Sequence, residues 1–314
     1  MFKKLENKLN IVDKFNIFGT IGLVFALLGI VAVILLPFNV NLFNFDIDFL
    51  GGTTMTYEMH KELDKAELDN ISKLVADATG VTPSSVQKSE VTQVVIKTST
   101  LDTEQRDAAF QALKAAYNLN DGTAVDAEGN TIPSDILSID NVDPVMGADL
   151  RNAAILSALL AILCMLIYIA IRFDWRSGLA AIIALAHDVF VIMGSYVVFR
   201  IPVNMTFIAV VLTILGYSIN ATIIVFDRVR ENKKLMKKTR FDGVVNASIW
   251  QTASRSLNTT ITTLLAVVVI AIVGVPSIRQ FVIPLMVGVI AGLYSSMFIS
   301  GPIWVKLSKK TKKQ

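Results

Sequence analysis

Ionisable side chains are sparse within the apolar stretches of this 314-residue sequence and gather at a few places. His187 and Asp188 are adjacent in one stretch, Asp227 and Arg228 close another, and Arg255 opens a third beside Ser254, Ser256, Asn258, Thr259, Thr260, Thr262 and Thr263. A carboxylate or imidazole at membrane depth exchanges protons, and a guanidinium there needs a carboxylate, carbonyls or water around it. Asp188 and Asp227 are the acids of the neighbouring stretches. Each group also has a plainer reading. Asp227, Arg228 and Arg230 fit snorkelling charges at an interface, His187 fits a helix-packing donor, and the hydroxyl stripe after Arg255 fits interhelical glue.

Two further segments break the apolar pattern. Gly216, Tyr217, Ser218, Ile219, Asn220, Ala221 and Thr222 put small and polar groups inside a hydrophobic run, which lets a neighbouring backbone approach and leaves donors inside a bundle. Asp48-Phe49-Leu50-Gly51-Gly52-Thr53 places two glycines where the chain must turn into a strand, so a hinge or tight turn is expected. No P-loop lysine follows those glycines, and no HExxH or GxSxG motif occurs. Two histidines and one cysteine, Cys164, make neither a metal site nor an intramolecular disulfide. No metal, no cofactor and no catalytic residue is expected, and the chain is read as a protein that is not an enzyme.

The elements that must position these groups follow from hydropathy. With 53% hydrophobic and 18% charged residues and a mean hydropathy of +0.58, the chain belongs in a lipid bilayer. A net charge of +3, with the basic residues in short blocks at the ends of apolar runs, argues against a nucleic-acid partner. Runs long enough to span fall at 17–38, 150–171, 178–199, 203–226, 257–274 and 281–305. The first is expected to be a retained anchor, since no small-residue cleavage site follows it.

Lys and Arg fix the orientation. The segment 1–16, the link holding Arg172 and Arg176, the basic loop 227–256 and the tail 306–314 carry the positive blocks, so both termini are expected in the cytoplasm. The insertion at 39–149 then lies outside. Within it Thr53–Met59, Val91–Thr98 and Ile136–Val142 read as strands, and Asp64–Thr79 and 103–118 as amphipathic helices, with a Gly- and Asp-rich turn region at 120–130. The expected fold is a membrane all-α six-helix bundle carrying an inserted extracytoplasmic α+β domain, best described as ferredoxin-like.

These segments together resemble the SecF family, the smaller partner in the SecD–SecF protein-export complex and part of the RND superfamily. The resemblance spans essentially the whole chain. It rests on IDFLGGT at Ile47–Thr53, the Pro144–Arg151 approach to the second run, Arg172-Phe173 with Trp175, His187-Asp188, the run GYSINATIIVFDRVREN from Gly216 to Asn232, Gln251–Arg255, and Phe281–Gly292.

The resemblance implies an RND-like half-bundle in the cytoplasmic membrane of a bacterium. Its implied partners are SecD, as a separate chain, the SecYEG channel, YajC and preproteins driven by SecA. The implied work is use of the proton-motive force to draw preproteins outward. Arg255 takes the place of the family's membrane arginine, and Asn220, His187, Asp188 and Asp227 are the remaining proton-pathway candidates. Two departures stand out. The family pattern GYS-x-N-D-T has an aspartate where this chain has Ala221, so proton coupling is in doubt, and Asp143 replaces a usual glycine. An RND-type small-molecule or lipid exporter half and a scaffold without transduction are the alternatives.

Overall fold

The computed structural model describes residues 10–38, 40, 42–89, 91–123, 131, 133–274 and 276–310. Most of the expected N-terminal segment (1–9), part of the expected turn region (124–130) and the end of the basic tail (311–314) lie outside the described residues. The chain forms two compact units: one takes 1–44, 156–274 and 278–314, the other 45–155 and 275–277.

Among the described residues the second unit centres on a four-stranded antiparallel sheet packed by two 15-residue helices. In chain order it contains β1 (Gly52–Glu58), α2 (Lys65–Thr79), β2 (Ser85–Lys88), β3 (Gln93–Thr98), α3 (Thr103–Tyr117) and β4 (Ile136–Val142), and α1 is the membrane helix Phe15–Leu35 before it. The strands lie in the order β2-β3-β1-β4, with Thr53 opposite Thr98 and Met55 opposite both Ile96 and Ile139. Alternation decides the core. Met55, Tyr57, Val94 and Ile96 point to one face and meet Ile71, Val75, Phe110 and Leu113 of the helices. Both helices start on an aspartate: Asp64 accepts from Glu67 N, and Asp102 forms a capping box with Gln105. Strand β2 is an addition to the expected three. It is short and half-exposed, so its own pattern carries little signal.

Among the described residues, six helices are long and apolar enough to cross a membrane. After α1 come α4 (Pro144–Arg172), α5 (Trp175–Val198), α6 (Met205–Leu235), α7 (Phe241–Val273) and α8 (Pro276–Ser295), the last continued by a π-helical turn, Ser296–Ser300, and α9 (Gly301–Lys310). Gly22, Ala26, Gly29 and Ala32 are the buried residues of α1. They recur every three or four positions, which makes one stripe of small side chains, and α1 packs it against α5.

The helices outrun the expected spans. Of the region 227–256 read as a basic loop, α6 occupies the residues up to Leu235 and α7 those from Phe241 onward. Hydropathy marks only the part of a helix that lies in hydrocarbon. The polar extensions hold together by pairing: Asn232 Nδ2 donates to Ser248 Oγ and Gln251 Oε1, each at 2.9 Å. Trp304 of α9 sits 4.8 Å from the ring of Phe226 and 5.4 Å from that of Phe241.

Candidate functional site

Asp188 is fully buried on α5. Its burial is offset by three polar partners. Oδ2 accepts from Ser218 Oγ of α6 at 2.5 Å and from Ser295 Oγ of α8 at 2.7 Å, while Oδ1 lies 2.9 Å from His187 Nδ1. The second imidazole nitrogen, Nε2, is 3.1 Å from the backbone oxygen of Gly22 on α1. Tyr294 stacks on the His187 ring at 6.1 Å and donates its hydroxyl to Phe18 O at 2.5 Å. Four helices therefore converge on one acid and one imidazole.

The glycines of the contact are part of its geometry. A β-carbon on Gly22 would stand 3.1 Å from His187 Nε2, and one on Gly292 would stand 3.1 Å from Ser218 Cβ. The Gly216–Thr222 anomaly contains Ser218 for the same reason: a small hydroxyl lets α6 approach the acid and bond to it.

Arg255 lies elsewhere. It is exposed on α7, together with Asn258, Thr259 and Thr262, and α6 presents Gly216 and Asn220 as exposed residues as well. The threonines satisfy themselves by bonding back along the helix: Thr259 Oγ1 donates to Arg255 O at 2.9 Å and Thr262 Oγ1 to Asn258 O at 3.1 Å. Among the described residues no carboxylate forms an ion pair with Arg255. Helices α6 and α7 are matched by Tyr217 Oη donating to Thr260 Oγ1 at 3.1 Å and Arg228 Nε donating to Gln251 Oε1 at 2.6 Å. Between those contacts Thr222 and Ser256 have buried hydroxyls without a partner among the described residues, and Ala221 sits beside Thr222.

Asp227 is not brought to either place. Its carboxylate meets Arg172 Nη2 at 3.3 Å and Arg230 Nη1 at 3.8 Å, and Arg230 also donates to Arg172 O at 2.8 Å and lies 4.7 Å from the Phe173 ring. This is an arginine-rich anchor at a helix end, in keeping with the snorkelling alternative. The IDFLGGT segment forms a single helical turn, Ile47–Leu50, that ends on Gly51 at φ 76°. Gly52 opens β1 at φ 145°, where a β-carbon would strike Thr98 O at 2.4 Å. Asp46, which sequence reasoning passed over, caps that turn and pairs with Lys97 at 2.6 Å. Ser295 and Tyr294 were missed too; they lie more than a hundred residues from Asp188, and nothing in their own neighbourhood distinguishes them.

Comparison with known proteins extends this picture. The family model described as protein export membrane protein SecD/SecF, C-terminal, matches residues 125–310. The protein translocase subunit SecF of Alicyclobacillus acidocaldarius is 34% identical over 87% of this chain and 85% of its own length. The corresponding subunit of Sebaldella termitidis is 36% identical over 86% and 84%. The crystal structure of SecDF, a translocon-associated membrane protein from Thermus thermophilus, matches with a TM-score of 0.78 at 29% identity; the match covers 98% of this chain and 39% of that longer one.

Proposed function

This chain belongs to the SecD/SecF protein-export family, and from that premise we propose that it is a SecF-type accessory subunit of the Sec preprotein translocase, working beside SecD near the SecYEG channel. It acts by binding and movement, without catalysis. The observation that carries the reading is the polar face built from Asn220, Arg255 and Asn258, all exposed on α6 and α7: at a membrane boundary a guanidinium with no carboxylate partner among the described residues is costly, and a partner helix bearing a carboxylate relieves that cost. Relatives of greater length named SecDF carry a matching segment within a single chain, which supports SecD as that partner.

In this reading both termini and the Arg172–Asp227–Arg230 anchor lie in the cytoplasm, and the sheet unit lies outside. Its βαββαβ order and β2-β3-β1-β4 sheet support a ferredoxin-like insert. It contacts the outer domain of SecD or the emerging preprotein. YajC and preproteins driven by SecA belong to the same assembly. Ala221 stands where the family pattern has a carboxylate, so any proton response through the Arg255 face depends on an acid from SecD.

The test is co-expression with SecD and a photo-cross-linker at Thr262, with Leu159 of α4 as the control position. Cross-linking to SecD from 262 alone supports the reading, and none from 262 overturns it. A specific observation, Ala221 itself, favours a second reading, that of a scaffold without transduction. Export into vesicles with and without an imposed proton gradient separates the two. A gradient response that vanishes in Arg255→Ala supports transduction, and equal export by parent and variant supports the scaffold.

A further inference from the structure

The hydrogen bonds around His187 count its protons. Nε2 faces the Gly22 carbonyl at 3.1 Å, and a carbonyl oxygen only accepts, so Nε2 carries a hydrogen. Nδ1 faces Asp188 Oδ1 at 2.9 Å, and that contact needs a hydrogen of its own. Two protons thus serve the pair. They make either an imidazolium against a carboxylate or a neutral imidazole against a carboxylic acid, and in both forms the pair as a whole is uncharged.

We propose that His187 and Asp188 form a proton-binding site that shares one exchangeable proton between Nδ1 and Oδ1 and releases it as a unit. Release leaves one negative charge on the pair, with Nε2–H still on Gly22 O. The anion is prepared for: Ser218 Oγ at 2.5 Å and Ser295 Oγ at 2.7 Å both bond Oδ2. Neutrality before release is favoured by the surroundings. The pair is almost wholly buried, and the half-open, mostly apolar cavity of about 190 Å³ that borders the imidazole is lined by Phe25, Val191 and Val287 beside Tyr294.

The packed faces bring little charge to the pair. Segment Phe15–Leu35 has no titratable side chain. From α8 comes the Tyr294 phenol, bonded to Phe18 O, and from α9, which also packs on α5, come Lys306 and Lys309, engaged with Asn16 and Asp242. From α6 the nearest titratable group in sequence is Tyr217, bonded to Thr260, whereas Asp227 and Arg228 lie more than two helical turns beyond Ser218 and are engaged with Arg172 and Gln251. No arginine or lysine of these helices pairs with Asp188 among the described residues, so its counter-charge is the imidazole.

This deepens the translocase reading by giving the chain an acid of its own despite Ala221, but its test needs neither SecD nor export. The sequence has two histidines, so His60→Gln leaves His187 as the sole imidazole. The full chain in lipid nanodiscs is titrated while nitrogen-15 NMR reads both ring nitrogens and infrared difference spectroscopy reads the carboxyl group. The expected result is Nε2 protonated throughout, with one further proton on Nδ1 or on Asp188 at neutral pH, lost in a single step on alkalinisation. Asp188→Asn abolishes that step, leaving a neutral Nε2–H imidazole. Should that variant fail to fold, Ser218→Ala serves instead, shifting the step because the anion loses a donor. A neutral His187 with hydrogen on Nδ1, bare Nε2 and an ionised Asp188 at neutral pH overturns the proposal, as does a step unmoved by every variant.

Discussion

Gly29 of α1 meets the backbone of α5 so closely that a β-carbon there would stand 1.9 Å from the Phe190 carbonyl oxygen, whereas one on Gly194, across the same contact, would stand 3.3 Å from Gly29 N. The two glycines share an interface but differ in tolerance. Gly29→Ala forces the helices apart and is expected to destabilise by about 1–3 kcal/mol, as overpacked cores do. Gly194→Ala needs a shift of a few tenths of an ångström and is expected to fall well below that. Thermal melting of the detergent-solubilised protein, followed by size exclusion, ranks the two.

Gly216 gives the opposite case. A β-carbon there meets nothing within 4 Å, and the residue is exposed on the polar face of α6. Gly216→Leu should leave the melting temperature of this chain unchanged while lowering co-purification with SecD, since the leucine projects where the partner would pack. Unaltered co-purification would remove α6 from the proposed interface.

Ser218 and Ser295 bond the same oxygen of Asp188, at 2.5 Å and 2.7 Å. Replacing either by alanine removes one donor from a buried acid and is expected to cost about 1–3 kcal/mol. The double variant should depart from the sum of the singles, because both act on one carboxylate. A double-mutant cycle in the same melting assay measures the coupling.

On the sheet unit, Glu67 accepts hydrogen bonds from Lys61 Nζ and from Tyr117 Oη, the latter at 2.9 Å. Those bonds hold its carboxyl below the ordinary value of 4.5, and the same contact raises the Lys61 ammonium above 10.5. A lowered acid stabilises the folded form above its unfolded value and loses that contribution as pH falls through the folded one; a raised base contributes below its unfolded value and loses it as pH rises. Hydrogen exchange of α2 and α3 in the full chain should therefore accelerate below about pH 4.5. In Glu67→Gln the acid limb should flatten. The site is exposed, so the effect is small.

The orientation is open to thiol labelling. Cys164 is exposed on α4, so Cys164→Ala comes first. A cysteine at Lys238 should then react only from the cytoplasmic side, and one at Ser89 only from outside. Labelling of both from one side would refute the topology read from lysine and arginine placement.

Much of this arrangement was legible before any coordinates. Apolar runs locate the membrane helices because burial in lipid demands an unbroken hydrophobic stretch, and the alternation at Met55, Tyr57, Val94 and Ile96 marks the sheet face. What was hidden depends on distance along the chain. Asp188 could be picked out as an acid in a membrane run, but its partners Ser218, Ser295 and Gly22 come from three other helices and are ordinary residues locally. Asp227 reads like Asp188 in sequence, and only the approach of Arg172, 55 residues away, separates an anchoring ion pair from a buried acid. The helical nature of 227–235 and 241–256 was obscured because their polar residues satisfy one another rather than lipid.

The π-helical turn Ser296–Ser300 works as a gear inside the last span. Wider winding there shifts the angular phase of everything after it by roughly one residue, so the stretch ending at Ser295 can aim at Asp188 while Trp304 independently meets Phe226 and Phe241. Deleting one residue from the turn would close it to ordinary winding, and the helix could then keep its hydroxyl on the acid or its indole in the aromatic cluster, but not both.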